Sequence, residues 1–142
     1  MTDFENITND AAVKEYQSTT GVFGALLREV RELSKKKPDA TLSASKVKLI
    51  NNVLADLLTF LSGEPEGKYL KSLEDDELPQ TSDALLMMAQ FDAALDAFKA
   101  RYYQYVRKGH HRGNHHWITE ETVERWAAEV AELEAEDGDD EF

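Results

Sequence analysis

Residues 82–109, SDALLMMAQFDAALDAFKARYYQYVRKG, decide the fold class of this 142-residue chain. Apolar side chains recur along the segment every three or four residues, which is the spacing of one face of an α-helix. Ser82 or Asp83 is a suitable N-cap for that helix, and Gly109 is a suitable end. The pattern predicts one long helix to Gly109, with an apolar stripe of Met88, Phe91, Leu95, Phe98, Tyr102 and Tyr105.

The N-terminal third shows the same helical spacing. Asn9 or Asp10 can cap a first helix, and Pro38 ends it because proline cannot continue the hydrogen-bond ladder. Gly21 and Gly24 each lower helix stability by about 1 kcal/mol relative to alanine. We therefore expect a kink or break in this helix near Thr19–Gly21.

Three more helices follow from local signals. Ser43 or Ser45 can cap a second long helix, and Pro65 suits the first position of a short one. Thr119 is a good N-cap for the last helix. Glu120 and Glu121 then lie in its first turn, where acidic side chains interact favourably with the positive end of the helix dipole. The buried side of that last helix is predicted to carry Trp126, Val130 and Leu133.

The sequence predicts an all-α fold. No stretch alternates polar and apolar residues long enough to indicate a sheet. The short connections favour a small helical array or bundle of four main helices plus a short one, with antiparallel neighbours. Residues 1–135 are interpreted as a single domain, and the acidic residues 136–142 as a disordered tail.

Composition limits the possible function classes. The formal net charge is −12, which disfavours nucleic acid and anionic membranes as partners. The chain has no cysteine, so disulfides and thiolate metal sites are excluded. No apolar run approaches the ~20 residues that cross a bilayer, and the polar N-terminus does not resemble a secretory signal. We expect a cytoplasmic protein without a membrane segment.

One basic and aromatic segment interrupts the acidic chain. Residues 101–117, RYYQYVRKGHHRGNHHW, contain four basic residues, three tyrosines, a tryptophan and no acid. Such a segment can dock on an acidic protein partner, or on the chain's own acidic helix at 120–136. Stacking and phosphate contacts to nucleic acid are disfavoured by the overall charge. The predicted partner-binding residues are Arg101, Tyr103, Arg107, Lys108, Arg112 and Trp117.

The same segment holds all four histidines. Neutral imidazoles bind zinc and nickel, so two histidine pairs could converge on one ion. The glycines at 109 and 113 favour a polar loop instead, and no carboxylate within the segment completes a site. The main expectation is therefore no cofactor, and the alternative is a zinc or nickel site at His110, His111, His115 and His116.

A second candidate surface lies in the long helix. Leu85, Leu86, Met87 and Met88 are consecutive, so they surround the helix rather than line one side. A helix that is apolar all round is buried on all sides, which predicts that this stretch and Phe91 are covered by another chain. Leu86 and Met87 are therefore further partner-binding residues, for a protein partner or a homo-oligomer.

These features favour a non-enzymatic interaction protein, an accessory or adaptor subunit that binds a larger protein or itself. The chain has no phosphate-binding glycine loop, no nucleophile elbow and no HExxH motif. Two alternatives stay open. One is a metal-dependent or catalytic site on the histidine-rich loop, and the other is an inhibitor that mimics nucleic acid with its acidic blocks.

Overall fold

The computed structural model describes residues 4–107 and 112–139. Within them the fold is broadly all-α, as predicted, with four long helices, a short 3₁₀ helix and one small strand pair. No described helix is long and apolar enough to cross a membrane. The elements are α1 (Asp10–Lys36), α2 (Ala44–Leu61), the 3₁₀ helix (Pro65–Tyr69), α3 (Thr81–Tyr102), β1 (Tyr103–Val106), β2 (Asn114–Trp117) and α4 (Glu120–Asp139).

The chain divides into two compact units. The terminal unit combines Met1–Val13 with Lys99–Phe142, and the central unit is the continuous segment Lys14–Phe98. The single domain over residues 1–135 stays a prediction.

The core of the central unit comes from three helices. α2 supplies a stripe at three- or four-residue spacing, and α1 and α3 each supply another. Aromatic rings join these stripes, with Phe23 and Phe91 6.3 Å apart and Phe60 and Phe98 4.8 Å apart between ring centroids. Each fully buried side chain of this size contributes about 1.5–3 kcal/mol relative to exposure. The core includes Phe23, Leu27, Val30, Val47, Ile50, Leu54, Leu57, Leu61, Met88, Phe91, Leu95 and Phe98.

The predicted break in the first helix is wrong. α1 runs without interruption from Asp10 to Lys36, through Gly21 and Gly24. Phe23, which is almost fully buried, lies between the two glycines in the sequence. Burial of that ring and of the stripe around it outweighs the glycine cost of about 1 kcal/mol per residue.

Three predicted N-caps are confirmed. Asn9 Oδ1 accepts a hydrogen bond from Ala12 N at 2.8 Å. Ser43 Oγ accepts one from Lys46 N at 3.2 Å. At the start of α4, Thr119 Oγ1 accepts a hydrogen bond from Thr122 N at 3.1 Å. Each cap satisfies a backbone N–H that has no partner within its helix.

The predicted end of the long helix is wrong. α3 ends at Tyr102, and the chain continues as strand β1 rather than as helix to Gly109. The carbonyl of Tyr102 accepts a hydrogen bond from Ile118 N at 2.8 Å, and β1 pairs with β2 beyond that point. Pairing with residues eight to fourteen positions further along the chain therefore replaces the local helical hydrogen bonds. Gly109 lies outside the described residues.

The last helix is longer and less buried than predicted. α4 continues to Asp139, so residues 136–139 of the predicted tail are helical, and residues 140–142 lie outside the described part of the chain. Trp126 is only 5% exposed, as expected, but Val130 is 39% and Leu133 61% exposed. The prediction that these last two residues are buried is wrong, because α4 extends beyond the residues that cover Trp126.

Candidate protein-binding surface

The site is built on the antiparallel hairpin of β1 and β2 in the terminal unit. Tyr103 pairs with Trp117, and Tyr105 pairs with His115. Residues directly opposite each other in an antiparallel pair share a face, and successive residues alternate between faces. These four rings therefore lie on one side of the hairpin, which we call the aromatic face.

The rings of the aromatic face contact one another. The centroid of Tyr103 lies 5.0 Å from that of Trp117 and 5.3 Å from that of His115, on which it stacks. His115 in turn meets Tyr105 edge to face, with centroids 5.6 Å apart. These separations fall within the range of favourable aromatic pairs. The four side chains form one continuous row.

The opposite face of the hairpin packs against α4. His116 meets Trp126 edge to face at 5.3 Å, and Phe4 contacts the same indole at 6.1 Å. Gln104, also on this face, donates from Nε2 to the carbonyl of Arg101 at 2.6 Å. Because this face is occupied, the aromatic face is directed away from α4. Tyr105 is 56% exposed, His115 is exposed, and Tyr103 and Trp117 are half-buried.

The N-terminal segment holds this arrangement in place. Thr8 N donates to the carbonyl of Ile118 at 3.0 Å, and the carbonyl of Thr8 accepts from Glu120 N at 2.9 Å. Asp10 N also donates to Oε2 of Glu121 at 2.9 Å. These bonds join the end of β2 and the start of α4 to the start of α1. The hairpin is thus attached at its base by backbone contacts.

Gly113 shapes the tip of the aromatic face. Its N–H donates to the Tyr105 hydroxyl at 3.0 Å. A Cβ atom at this position would lie 2.5 Å from the carbonyl oxygen of Val106 and 2.8 Å from the Tyr105 ring. The glycine therefore permits the close approach that places the Tyr105 ring across the tip.

Basic side chains accompany the aromatic face. Lys99 Nζ lies 5.4 Å from the centroid of the Tyr103 ring, a cation–π distance. Arg107 directly follows β1, Arg112 lies two residues before β2, and both are exposed. No acid occurs between Asp96 and Glu120, although the chain has 28 acids against 16 bases. This part of the terminal unit is therefore basic, although the protein as a whole is acidic.

The sequence identified only part of this surface. Tyr103, Trp117, Arg107 and Arg112 lie on it or beside it, while Arg101 is half-buried with its guanidinium 5.9 Å from the Tyr102 ring. Lys108 lies outside the described residues. Tyr105, His115 and Lys99 were not among the predicted partner-binding residues, and strand alternation within residues 103–106 and 114–117 is the signal that would have revealed the first two.

The histidines do not converge in the described part of the hairpin. His115 and His116 are consecutive on β2, so their side chains lie on opposite faces and cannot bind one ion together while the strand persists. Within residues 4–107 and 112–139, no three His, Asp or Glu side chains come close enough to hold a metal ion. His110 and His111 lie outside the described residues, so the four-histidine site stays a prediction.

The second candidate surface is smaller than expected. Met88 and Phe91 are fully buried within the chain itself, so the prediction that another chain covers them is wrong. At 100° per residue they share the core-facing side of α3 with Ala84. Leu86 is 63% exposed, and Met87 lines an open groove of about 710 Å³ in the central unit, together with Leu78, Glu77 and Asp83. A role for Leu86 and Met87 in partner binding stays a prediction.

The chain was compared with protein families, with curated proteins and with solved structures. No family model matches the chain, and no curated protein and no solved structure matches it either.

Proposed function

We propose that this protein is a non-enzymatic interaction protein, an accessory or adaptor subunit whose aromatic face binds an acidic segment of a larger protein. The observation that supports this proposal most is the row of four contacting rings on the outer side of the hairpin. The basic side chains beside that row give it a charge opposite to that of the rest of the chain.

The physical reason is a combination of two contributions. Tyrosine and tryptophan offer large contact areas at low conformational cost, and such residues dominate the energetics of protein interfaces. The cations at Lys99, Arg107 and Arg112 favour encounter with an acidic segment and reject basic ones. An acidic peptide that also carries apolar side chains fits both properties.

A defined probe tests the proposal. We would measure fluorescence anisotropy with a labelled peptide that alternates acidic and aromatic residues, and with a single-stranded oligothymidylate of the same length. The peptide is expected to bind the full chain, more weakly at higher salt. Tyr105→Ala, and separately the double variant Arg107→Glu/Arg112→Glu, should each raise its Kd by at least about tenfold, which corresponds to 1.4 kcal/mol.

The matched control is Lys46→Glu/Lys48→Glu. Both lysines are exposed on α2 in the central unit, and the double variant changes the net charge by the same amount. Equal weakening by the two double variants would mean that net charge alone governs binding, which contradicts a specific surface. Tight binding of the oligothymidylate with no binding of the peptide would contradict a protein partner and indicate single-stranded nucleic acid instead.

A further inference from the structure

Helix α4 is covered over its first two turns and uncovered afterwards. Trp126 is packed between Phe4 and His116 in the terminal unit. From Ala127 to Glu136 every residue is exposed. Most helices in proteins owe their stability to packing of an amphipathic face, and this half of α4 has no such packing among the described residues.

The sequence of the uncovered half is nevertheless that of a packing helix. Val123, Trp126, Val130 and Leu133 follow one another at intervals of three, four and three residues. This is the spacing of a coiled-coil seam. The first two members are half-buried and buried, whereas the last two are exposed. One apolar stripe therefore continues beyond the point where its own chain covers it.

The charges beside the stripe define what could cover it. At 100° per residue, Glu129 and Glu134 lie on the two sides of the stripe, and Glu136 lies next to Glu129. The segment from 127 to 136 contains no basic residue. A second copy of the same helix would bring like charges together along both flanks, which destabilises a coiled-coil pair. A helix with lysine or arginine on its flanks would instead form opposite-charge pairs.

The helix dipole adds a second reason for a basic partner. The C-terminal end of a helix is negative, and basic residues there are favourable. The last turn of α4 has no basic residue. Cations brought by a partner would reduce both the repulsion among the glutamates and the unfavourable interaction with the dipole.

We propose that the exposed half of α4 is a docking site for a basic amphipathic helix of a partner protein. Val130 and Leu133 supply the apolar contact, and Glu129, Glu134 and Glu136 select the charge of the partner. This site is separate from the aromatic face and goes beyond the function proposed above. It takes a partner of opposite charge to the one proposed for the aromatic face.

The test uses two synthetic three-heptad peptides that differ only in charge. Both carry leucine along the seam, and one has lysine and the other glutamate on both flanks. Fluorescence anisotropy with the full chain should show binding of the lysine peptide alone. Leu133→Glu should weaken it by at least about tenfold, because the apolar contact is lost even though the added charge attracts lysine.

Ala128→Glu is the matched control. It adds the same charge to the same helix, at an exposed position opposite the stripe, and should not weaken binding. Glu129→Gln/Glu134→Gln should weaken binding severalfold and reduce its salt dependence. Circular dichroism should show unchanged helix content in all variants, since every altered side chain is exposed.

Four results would overturn the proposal. The first is no binding of the lysine peptide, and the second is equal binding of both peptides. The third is equal behaviour of Leu133→Glu and Ala128→Glu, which would leave the acids acting alone and favour mimicry of nucleic acid. The fourth is self-association of the wild type that Leu133→Glu abolishes in sedimentation equilibrium, which would make a second copy the occupant. A lysine peptide is repelled by the basic hairpin, so failure here leaves the proposed function standing.

Discussion

The side chain of Asn51 forms two hydrogen bonds with the backbone of Leu73. Asn51 Nδ2 donates to the carbonyl of Leu73, and the N–H of Leu73 donates to Asn51 Oδ1, both at 2.9 Å. The amide thus satisfies both polar groups of a buried residue in the connection between the 3₁₀ helix and α3. One side chain on α2 thereby fixes a loop that contains little regular structure.

We expect Asn51→Ala to lower the free energy of unfolding by about 1–3 kcal/mol. The substitution leaves the N–H and carbonyl of Leu73 without their partners in a partly buried place, and such groups carry the full desolvation cost. Urea denaturation would measure the loss. Asn52→Ala is the control, since Asn52 is the exposed neighbour on the same helix. Equal losses in the two variants would contradict the role given to Asn51.

Two glycines are expected to respond in opposite ways to substitution by alanine. Gly113→Ala should destabilise the hairpin by about 1–3 kcal/mol, because the new Cβ meets the Val106 carbonyl and the Tyr105 ring. Gly21→Ala should stabilise α1 by about 0.5–1 kcal/mol, because nothing lies within 4 Å of its Cβ and a helix interior disfavours glycine. Thermal denaturation of both variants measures the direction of each change in stability. If Gly113→Ala raised the stability, the close approach of Gly113 to Val106 and Tyr105 would be contradicted.

The pKa of Tyr16 predicts a loss of stability at high pH. Burial, and then the carboxylates of Asp96 and Asp92, raise the pKa of its hydroxyl above the ordinary value of 10.0. The folded state therefore holds this proton more tightly than the unfolded state. The resulting stabilisation is present below about pH 10 and is lost as the pH rises through the folded-state value.

Tyr16→Phe should consequently lose less stability than the wild type as the pH rises above about 10. The ring can still stack on Phe98, whose centroid lies 5.5 Å from that of Tyr16. Urea denaturation at a series of pH values measures the difference. Tyr69→Phe serves as the control, because Tyr69 is exposed. If the free energy of unfolding changed with pH in the same way for the wild type and Tyr16→Phe, the raised pKa of Tyr16 would have no effect on stability.

Features set by neighbouring residues could be predicted from the sequence. The caps at Asn9, Ser43 and Thr119 each depend on a side chain and a backbone N–H three residues away, so short patterns suffice to find them. The core stripe of α3 from Met88 to Tyr102 follows from periodicity in the same way. The fold class was therefore predictable from local patterns alone.

Features set by distant residues could not be predicted in this way. Tyr105 continues the spacing of the α3 stripe, so the local pattern favours helix, and the pairing with His115 that makes it a strand residue is not encoded nearby. Leu133 was mispredicted for the same reason. Its spacing fits a buried stripe, but no residue in the described part of the chain packs over it. The basic-aromatic segment was recognised, but the division of its side chains between two faces needed the strand register.

The bonds of Thr8 to Ile118 and Glu120 have a consequence for folding during synthesis. The N–H and the carbonyl of Thr8 can form these hydrogen bonds only after Ile118 and Glu120 have been translated, more than a hundred residues later. The central unit, by contrast, consists of one continuous segment that is complete before Lys99 is added. Since chains emerge from the N-terminus onward, we expect the central unit to fold first and the hairpin to assemble last. A ribosome stalled between the two events would therefore carry a nascent chain with its helical core formed and its aromatic face still absent.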